Sequence, residues 1–474
     1  MSPGKRRREA EVARRQRTPR LDLVTVLAVV IPLLTVGFLA LVQPPPERDT
    51  TQPPSLTRLT SVTVVCPGAV PGSPDAAAST ASGASGDLTV SSAGTVGGTA
   101  RQVPVSPHTT TPLTGTDALV VKGNDDLAPG LLALRSGTAP LAAQDCSVPA
   151  AEQWFTGIGA GAVHRSVIEL VNPDSGPANV DITLYGVQPI LSPRLRGLTV
   201  PGHRTLSLDL GKVFPRRPLM TAQVQVTRGR LGVHVLDTVT DLGTHRTQRA
   251  WLPRLSAPAA SLQMLGLPPG PGTRSLQLAN PGDEVVRAQV RIVTGDTSFV
   301  PQGLDAVSLQ PGSTTAVRLT KALSQALGDG ALGVAVEADA PVTGSLVTSL
   351  KDGRVVTAPD DLVRDEAATL LPVATGKGST PVQARVLLTA DSSGATVVTA
   401  YDANGQRVLR KRVAAQQGHT AVVRLPRGTA YVEAVPSSTD VRGAVELTGQ
   451  GAAVIPLHEL LTQGLVPQIS PGLD

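Results

Sequence analysis

Large aromatic rings are almost missing from this chain: 4 Phe, 3 Tyr and 2 Trp make up 2% of its 474 residues. Cores built without them rest on Val, Leu, Ala and Ile, whose burial adds up through many small contacts. Cysteine is limited to Cys66 and Cys146, too few for a metal site on their own. Catalytic signatures are missing as well. There is no G-x-S-x-G and no H-E-x-x-H, and none of the seven histidines sits at the i, i+4 spacing of a helical metal pair. The net excess of basic charge is confined to one end. Residues 1–22 hold eight basic and three acidic side chains, which accounts for the whole formal charge of +5. The high isoelectric point is therefore a property of the tail, and a nucleic-acid partner is not expected.

Two stretches imitate cofactor loops and fail on context. GIGAGA (157–162) matches a loose dinucleotide fingerprint, but VHRSVIELV (163–171) after it reads as a strand where a helix is required. It is expected to be a flexible interdomain loop. TGKGST (375–380) has Leu371 where a phosphate loop needs its first Gly, and Gly378 where it needs Ser or Thr. No cofactor is expected. Asp125 and Asp126 in GNDDLAPG, and Asp402 with Asn404 in DANG, could offer oxygens to a cation, yet calcium needs six to eight of them. DANG is better read as a hairpin turn, and no metal ligands are assigned. His203 and His419 follow the same Gly turn in two repeats and read as polar residues at a strand edge.

What is present begins with the only long apolar run, LVTVLAVVIPLLTVGFLALV (23–42), which lacks any charge. Twenty helical residues at about 1.5 Å rise reach roughly 30 Å, the thickness of a hydrocarbon core. The Arg-rich tail at 1–22 places that end in the cytoplasm and everything beyond outside. A cleaved signal peptide is the competing reading, but QPPPERD (43–49) offers no small-x-small site. The expected address is the cell membrane, single-pass, with extracytoplasmic C-terminal domains. Outside the cytoplasm, Cys66 and Cys146 are expected to form a disulfide; the alternative is two unpaired, small apolar side chains.

Three stretches about 110 residues apart then follow one script. VIELVNPDSGPANVDITLYG (167–186), SLQLANPGDEVVRAQVRIVTG (275–295) and ARVLLTADSSGATVVTAYDANG (384–405) each run strand, turn, strand. A Gly turn and a further strand come next in each. Period-two alternation marks the buried faces: Ile168 and Leu170, then Val180, Ile182 and Leu184, in the first copy; Val290 and Ile292 in the second; Val386, Leu388, Val398 and Val422 in the third. With 47 Gly and 41 Pro punctuating short strands, the fold class is all-β: tandem immunoglobulin-like antiparallel sandwiches, strung as beads.

The expected organisation is a basic tail (1–22), a transmembrane helix (23–42), a Pro-rich linker (43–55) and a disulfide-closed β-region (56–151). Sandwich repeats at 163–255, 262–372 and 380–460 complete it. PGSPDAAASTASGASG (71–86) is low in complexity and is expected to project as a mobile loop. TKALSQALG (320–328) is the one helix-like insert.

SVTVVCPG (61–68), AAQDC (142–146), QWFTG (153–157) and VIELVNP (167–173), behind a basic tail and one span, resemble an actinobacterial family of membrane-anchored secreted proteins classed as a domain of unknown function. The resemblance implies a cell-envelope context and no catalytic residue. The expected function is a non-enzymatic, membrane-anchored scaffold or interaction protein of the envelope, its partner a protein or a glycan. A glycan-binding module is the alternative if Trp154 or Trp251 is exposed, since an indole face can stack on a sugar ring. An enzyme or solute sensor with a site between domains is the third reading.

Overall fold

Alternating residues of this chain pair into antiparallel ladders along most of the described residues. The structure is a computed structural model that describes residues 23–41, 55–94, 99–190, 192, 195–243, 245–373 and 382–466. Contacts divide it into a small part, Met1–Thr57 with Leu465–Asp474, and a large part, Arg58–Gly464.

In the small part an α-helix covers Leu23–Leu41, with Pro32 inside it and no charge at either end. Its side chains are described only from 26 to 38, and among the described residues no helix is long and apolar enough to cross a membrane. The span expected over 23–42 therefore rests on sequence. The basic tail, nearly all of the Pro-rich linker and TGKGST lie outside the described residues.

The large part holds four β-units, each with its own apolar core. In the first, Ser61–Cys66, Leu119–Asn124, Gly86–Ser92 and Arg101–Val105 form one sheet, and Thr111–Leu113, Asp75–Thr80, Leu131–Thr138 and Leu141–Asp145 the other. Val64, Leu88 and Val121 from one sheet meet Ala78 and Ala133 from the other. Cys66 and Cys146 are joined in a disulfide with Cα atoms 4.2 Å apart, as expected. The projecting loop expected at 71–86 is not there. Asp75–Thr80 is a strand between two others, because Ala76 and Ala78 share one face and are small enough to pack against the facing sheet.

The second unit is one curled eight-stranded sheet around Ile168, Leu170, Val180, Ile182, Leu184, Val224, Val233 and Val235. GIGAGA is not a loop either: Glu152–Ala160 is a strand whose Phe155 and Ile158 belong to that core. A bulge between Phe155 and Ile158 bends the strand, and Gly157 takes the left-handed φ of 87° that this needs.

In the third unit one strand, Gly333–Leu350, serves both sheets. Its first half pairs with Ala259–Leu265 and Val286–Val293, its second with Gly272–Asn280 and Gly353–Thr357. The change of sheet falls around Pro341, which has no N–H to give a ladder. The helix expected at 320–328 is present as Thr320–Gly328, with Leu323 and Ala326 in the core. The fourth unit packs Gln383–Ala390 and Val441–Gly449 against Gly394–Asp402 and Thr429–Ser437. Here Val422 faces outward and Val423 inward. Three consecutive apolar residues, 421–423, left that register unspecified in the sequence.

The Asn-Pro turns of the script have a shared purpose. Asn172 and Asn280 are fully buried, and each amide donates to two carbonyls, Gly176 and Val200 in one case and Glu284 and Leu309 in the other. Each also accepts from the backbone N–H two residues on.

Antiparallel all-β architecture is as expected, but the units are not beads of immunoglobulin type on a string. They form a four-blade, propeller-like arrangement. Backbone hydrogen bonds tie the first blade to the fourth (Leu141 N–H to Gln450 O, 2.7 Å) and the fourth to the third (Thr420 N–H to Gly295 O, 2.8 Å). The Thr314 hydroxyl ties the third to the second, donating to the Tyr185 carbonyl at 2.7 Å. Between the first two blades, Gly232 lies so close to Val65 that a Cβ there would meet the Val65 Cβ at 2.5 Å. Apolar clusters fill the junctions, such as Leu265, Val355, Leu387 and Val454 between the third and fourth blades. Small residues at these contacts let backbones approach closely, and short-range packing then closes the ring.

Candidate functional site

Each blade ends in a β-hairpin: Leu141–Asp145, Thr247–Leu252, Gly353–Thr357 and Gly451–Pro456 are the four last strands. These four neighbour one another in sequence around the centre and enclose a cavity of about 470 Å³, a size typical of small-ligand sites. Alternation along each strand turns some side chains to the blade and others to the cavity. Gln144, Gln248, Trp251 and Arg354 line it together with Arg246, Arg249, Lys351 and Asp352. Leu141, Val355 and Val454 supply apolar wall.

A buried ion network supports this wall. Arg354 Nε lies 3.0 Å from Asp237 Oδ2, the two side chains being 7% and 0% exposed. The other Asp237 oxygen accepts from the Ser166 hydroxyl at 2.6 Å and lies 2.8 Å from His164 Nε2. Among the described residues, Arg354 Nη2 and Trp251 Nε1 are buried without a partner, and the Arg354–Asp237 contact is an ion pair without hydrogen-bond geometry. His234 stands edge-on to the Trp251 ring, and burial pushes its imidazolium down to about 4.

A second cavity of about 410 Å³ lies between the first and fourth blades, and Asp145 lines both. Here His458 bridges two carboxylates, with Nδ1 2.8 Å from Asp361 and Nε2 3.2 Å from Asp145. Burial works against the imidazolium, but the hydrogen bonds and charges of Asp145 and Asp361 outweigh it and raise His458 to about 10. In Asp361 burial is likewise outweighed by His458, and the carboxyl falls to about 2. Asp360 next to it is pushed well up by burial, which outweighs the hydrogen bond it accepts from the Leu265 N–H. At the other edge of the same junction the His108 ring stacks on Tyr401 at 4.2 Å, and Nε2 lies 2.8 Å from Glu433.

The residues singled out from sequence are scattered by the fold. Trp154 is 3% exposed; it donates to Glu152 at 2.9 Å and stacks on Tyr185. Trp251 is half-buried and lines the cavity. Asp125 and Asp126 begin an exposed turn, and Asp126 pairs with Arg58 at 3.0 Å. Asp402 accepts from the backbone N–H groups of Asn404 and Gln406, which makes DANG a turn. His203 and His419 are both exposed. Among the described residues no group of three or more His, Cys, Asp or Glu could hold a metal ion. Asp237, Arg354, Asp361 and His458 were not singled out. The available signal was a carboxylate inside an apolar alternating strand, VHVLDTVT (233–240).

Comparison with known proteins places the chain in a family but gives it no activity. Residues 108–426 match the model of a family of unknown function, DUF5719. The chain belongs to this family. The matched stretch of the DUF5719 protein runs from the first blade to the fourth. No match was found among the curated proteins. Of solved structures, the crystal structure of Streptomyces avermitilis α-L-rhamnosidase complexed with L-rhamnose is similar at a TM-score of 0.13 and 10% identity. That likeness covers 82% of the DUF5719 chain and 57% of the enzyme, and at so low a score it carries no argument.

Proposed function

We propose that this DUF5719 protein is a non-enzymatic binding module of the cell envelope, anchored through residues 23–42, with a saccharide as ligand of the central cavity. The observation that carries this reading is the cavity of about 470 Å³ where four blades meet, with the half-exposed Trp251 in its wall. An indole ring offers a flat apolar face to a sugar, and amide and guanidinium groups beside it suit hydroxyls. The outer sheets would remain available for a scaffold role. A saccharide panel presented to the detergent-solubilised protein tests the proposal. Retention of a saccharide by the wild type, weakened about tenfold or more by Trp251→Ala, is the expected result. Trp154→Phe should leave it unchanged. Absence of any retained saccharide, or equal retention by Trp251→Ala, overturns the reading.

An interdomain enzyme is the second reading, favoured by one observation: carboxylates and a histidine converge on the cavity between the first and fourth blades. In its present arrangement His458 is held by two carboxylates, an internal ion bridge that needs no substrate to explain it. Turnover of a labelled saccharide that disappears in Asp361→Asn would promote this reading over the first.

A further inference from the structure

We propose that the ligand of the central cavity is an anionic saccharide, its acidic group seated between the Arg354 guanidinium and the Trp251 indole N–H. This rests on the binding reading above and goes beyond it by naming the charge of the ligand.

Two observations point the same way. The first is a pair of orphaned donors. Arg354 is 7% exposed and lines the cavity; among the described residues its Nε meets only the Asp237 carboxylate at 3.0 Å, its Nη2 has no hydrogen-bond partner, and Trp251 Nε1 in the same wall has none. A buried donor left unpaired is costly, more so when charged, so two on one wall mark where an acceptor belongs. Neither group can accept a hydrogen bond, so both select for acceptors.

The second observation is the charge around them. Arg246, Arg249 and Lys351 also line the cavity, are exposed, and make no ion pair among the described residues. Against them stands Asp352 alone, since Asp145 is taken up by His458 and Asp237 by Arg354. The lining thus presents an excess of unpaired positive charge on Arg246, Arg249 and Lys351, beside an Arg354 whose Nη2 is not used by Asp237 and suits an oxygen of a carboxylate or a phosphate. A neutral sugar would leave this charge unanswered.

Titration calorimetry on the detergent-solubilised full chain tests the proposal with three probes: a galacturonic acid tetramer, its uncharged methyl ester, and a glycerol phosphate oligomer. At least one anionic probe should bind about tenfold or more tighter than the ester, as expected for one charge-assisted bond. Which of the two binds tells carboxylate from phosphate. Added salt should weaken binding, because the cations at the mouth are exposed. Trp251→Phe keeps a ring and removes the N–H, and should weaken the anionic probe about tenfold while hardly changing the ester. Arg354→Met leaves Asp237 unpaired and can fail to fold, so Trp251→Phe and Arg249→Gln carry the test. Affinity for both anionic probes no greater than that for the ester, or an unchanged Trp251→Phe, overturns the anionic assignment and leaves the binding reading standing. No binding of any probe, with no saccharide retained in the panel, removes both.

Discussion

Replacing His458 by Gln removes a cation held between two carboxylates and should cost stability in a manner that depends on pH. Breaking a buried ion pair costs about 3–5 kcal/mol, whereas an exposed one is worth about 0–1. His458, Asp145 and Asp361 are 29%, 26% and 33% exposed, so the estimate falls between, at about 2 kcal/mol. Linkage sets the pH window. His458 rises from 6.5 to about 10 on folding. Its contribution is thus complete below about pH 6.5 and disappears as pH climbs through about 10. Asp361 falls to about 2, so its contribution is present above its unfolded value near 3.8 and is lost as pH drops through about 2. Both describe the same bridge and are counted once. Urea unfolding followed by far-ultraviolet circular dichroism should show wild type above His458→Gln by about 2 kcal/mol at pH 5.5, with the gap closing toward pH 10. A gap that stays constant from pH 5.5 to 10 would mean that packing, not charge, holds the junction. A gap under about 0.5 kcal/mol at pH 5.5 would refute the estimate outright.

Reduction of Cys66–Cys146, which closes a separation of 80 residues, should destabilise the first blade by about 4–5 kcal/mol on chain-entropy grounds; urea midpoints with and without reductant measure it. Arg135 is fully buried and donates to four carbonyls, those of Pro67, Pro74, Gly115 and Asp117. Arg135→Met should therefore cost about 3 kcal/mol or more, with Arg135→Lys recovering part; an undiminished midpoint in Arg135→Met would contradict this. Asn172→Ala and Asn280→Ala should each cost about 1–3 kcal/mol by the same assay, because each leaves a buried carbonyl, that of Val200 or of Leu309, without its donor. A large difference between the two would show that the turns are not equivalent.

Much of the fold was legible because it is written in local patterns. Val180, Ile182 and Leu184 alternate and are buried; TKALSQALG lacks that alternation and is a helix. The disulfide could be read from two extracytoplasmic cysteines. Misreadings came where composition stood in for pattern. DAAAST looked like a low-complexity loop, but small alternating residues make a good inner strand. GIGAGA looked like a flexible loop, yet its first four residues end a strand and Gly157 serves a bulge. The candidate site was nearly illegible. Gln144, Gln248 and Arg354 lie on three blades, each an ordinary polar residue in the last strand of its hairpin.

By itself, then, the sequence determined the alternation of most strands, the cores of the blades and the covalent link, since within a blade these depend on neighbours within about 110 residues of one another. Only the tertiary structure decided that the blades close on themselves and that Trp251 faces a cavity while Trp154 is buried. Closure depends on contacts such as Gly232 against Val65 and Leu141 against Gln450, made across long separations by small residues and backbone groups. Such contacts carry no periodic signature, because close approach requires a side chain to be small and leaves no pattern to read.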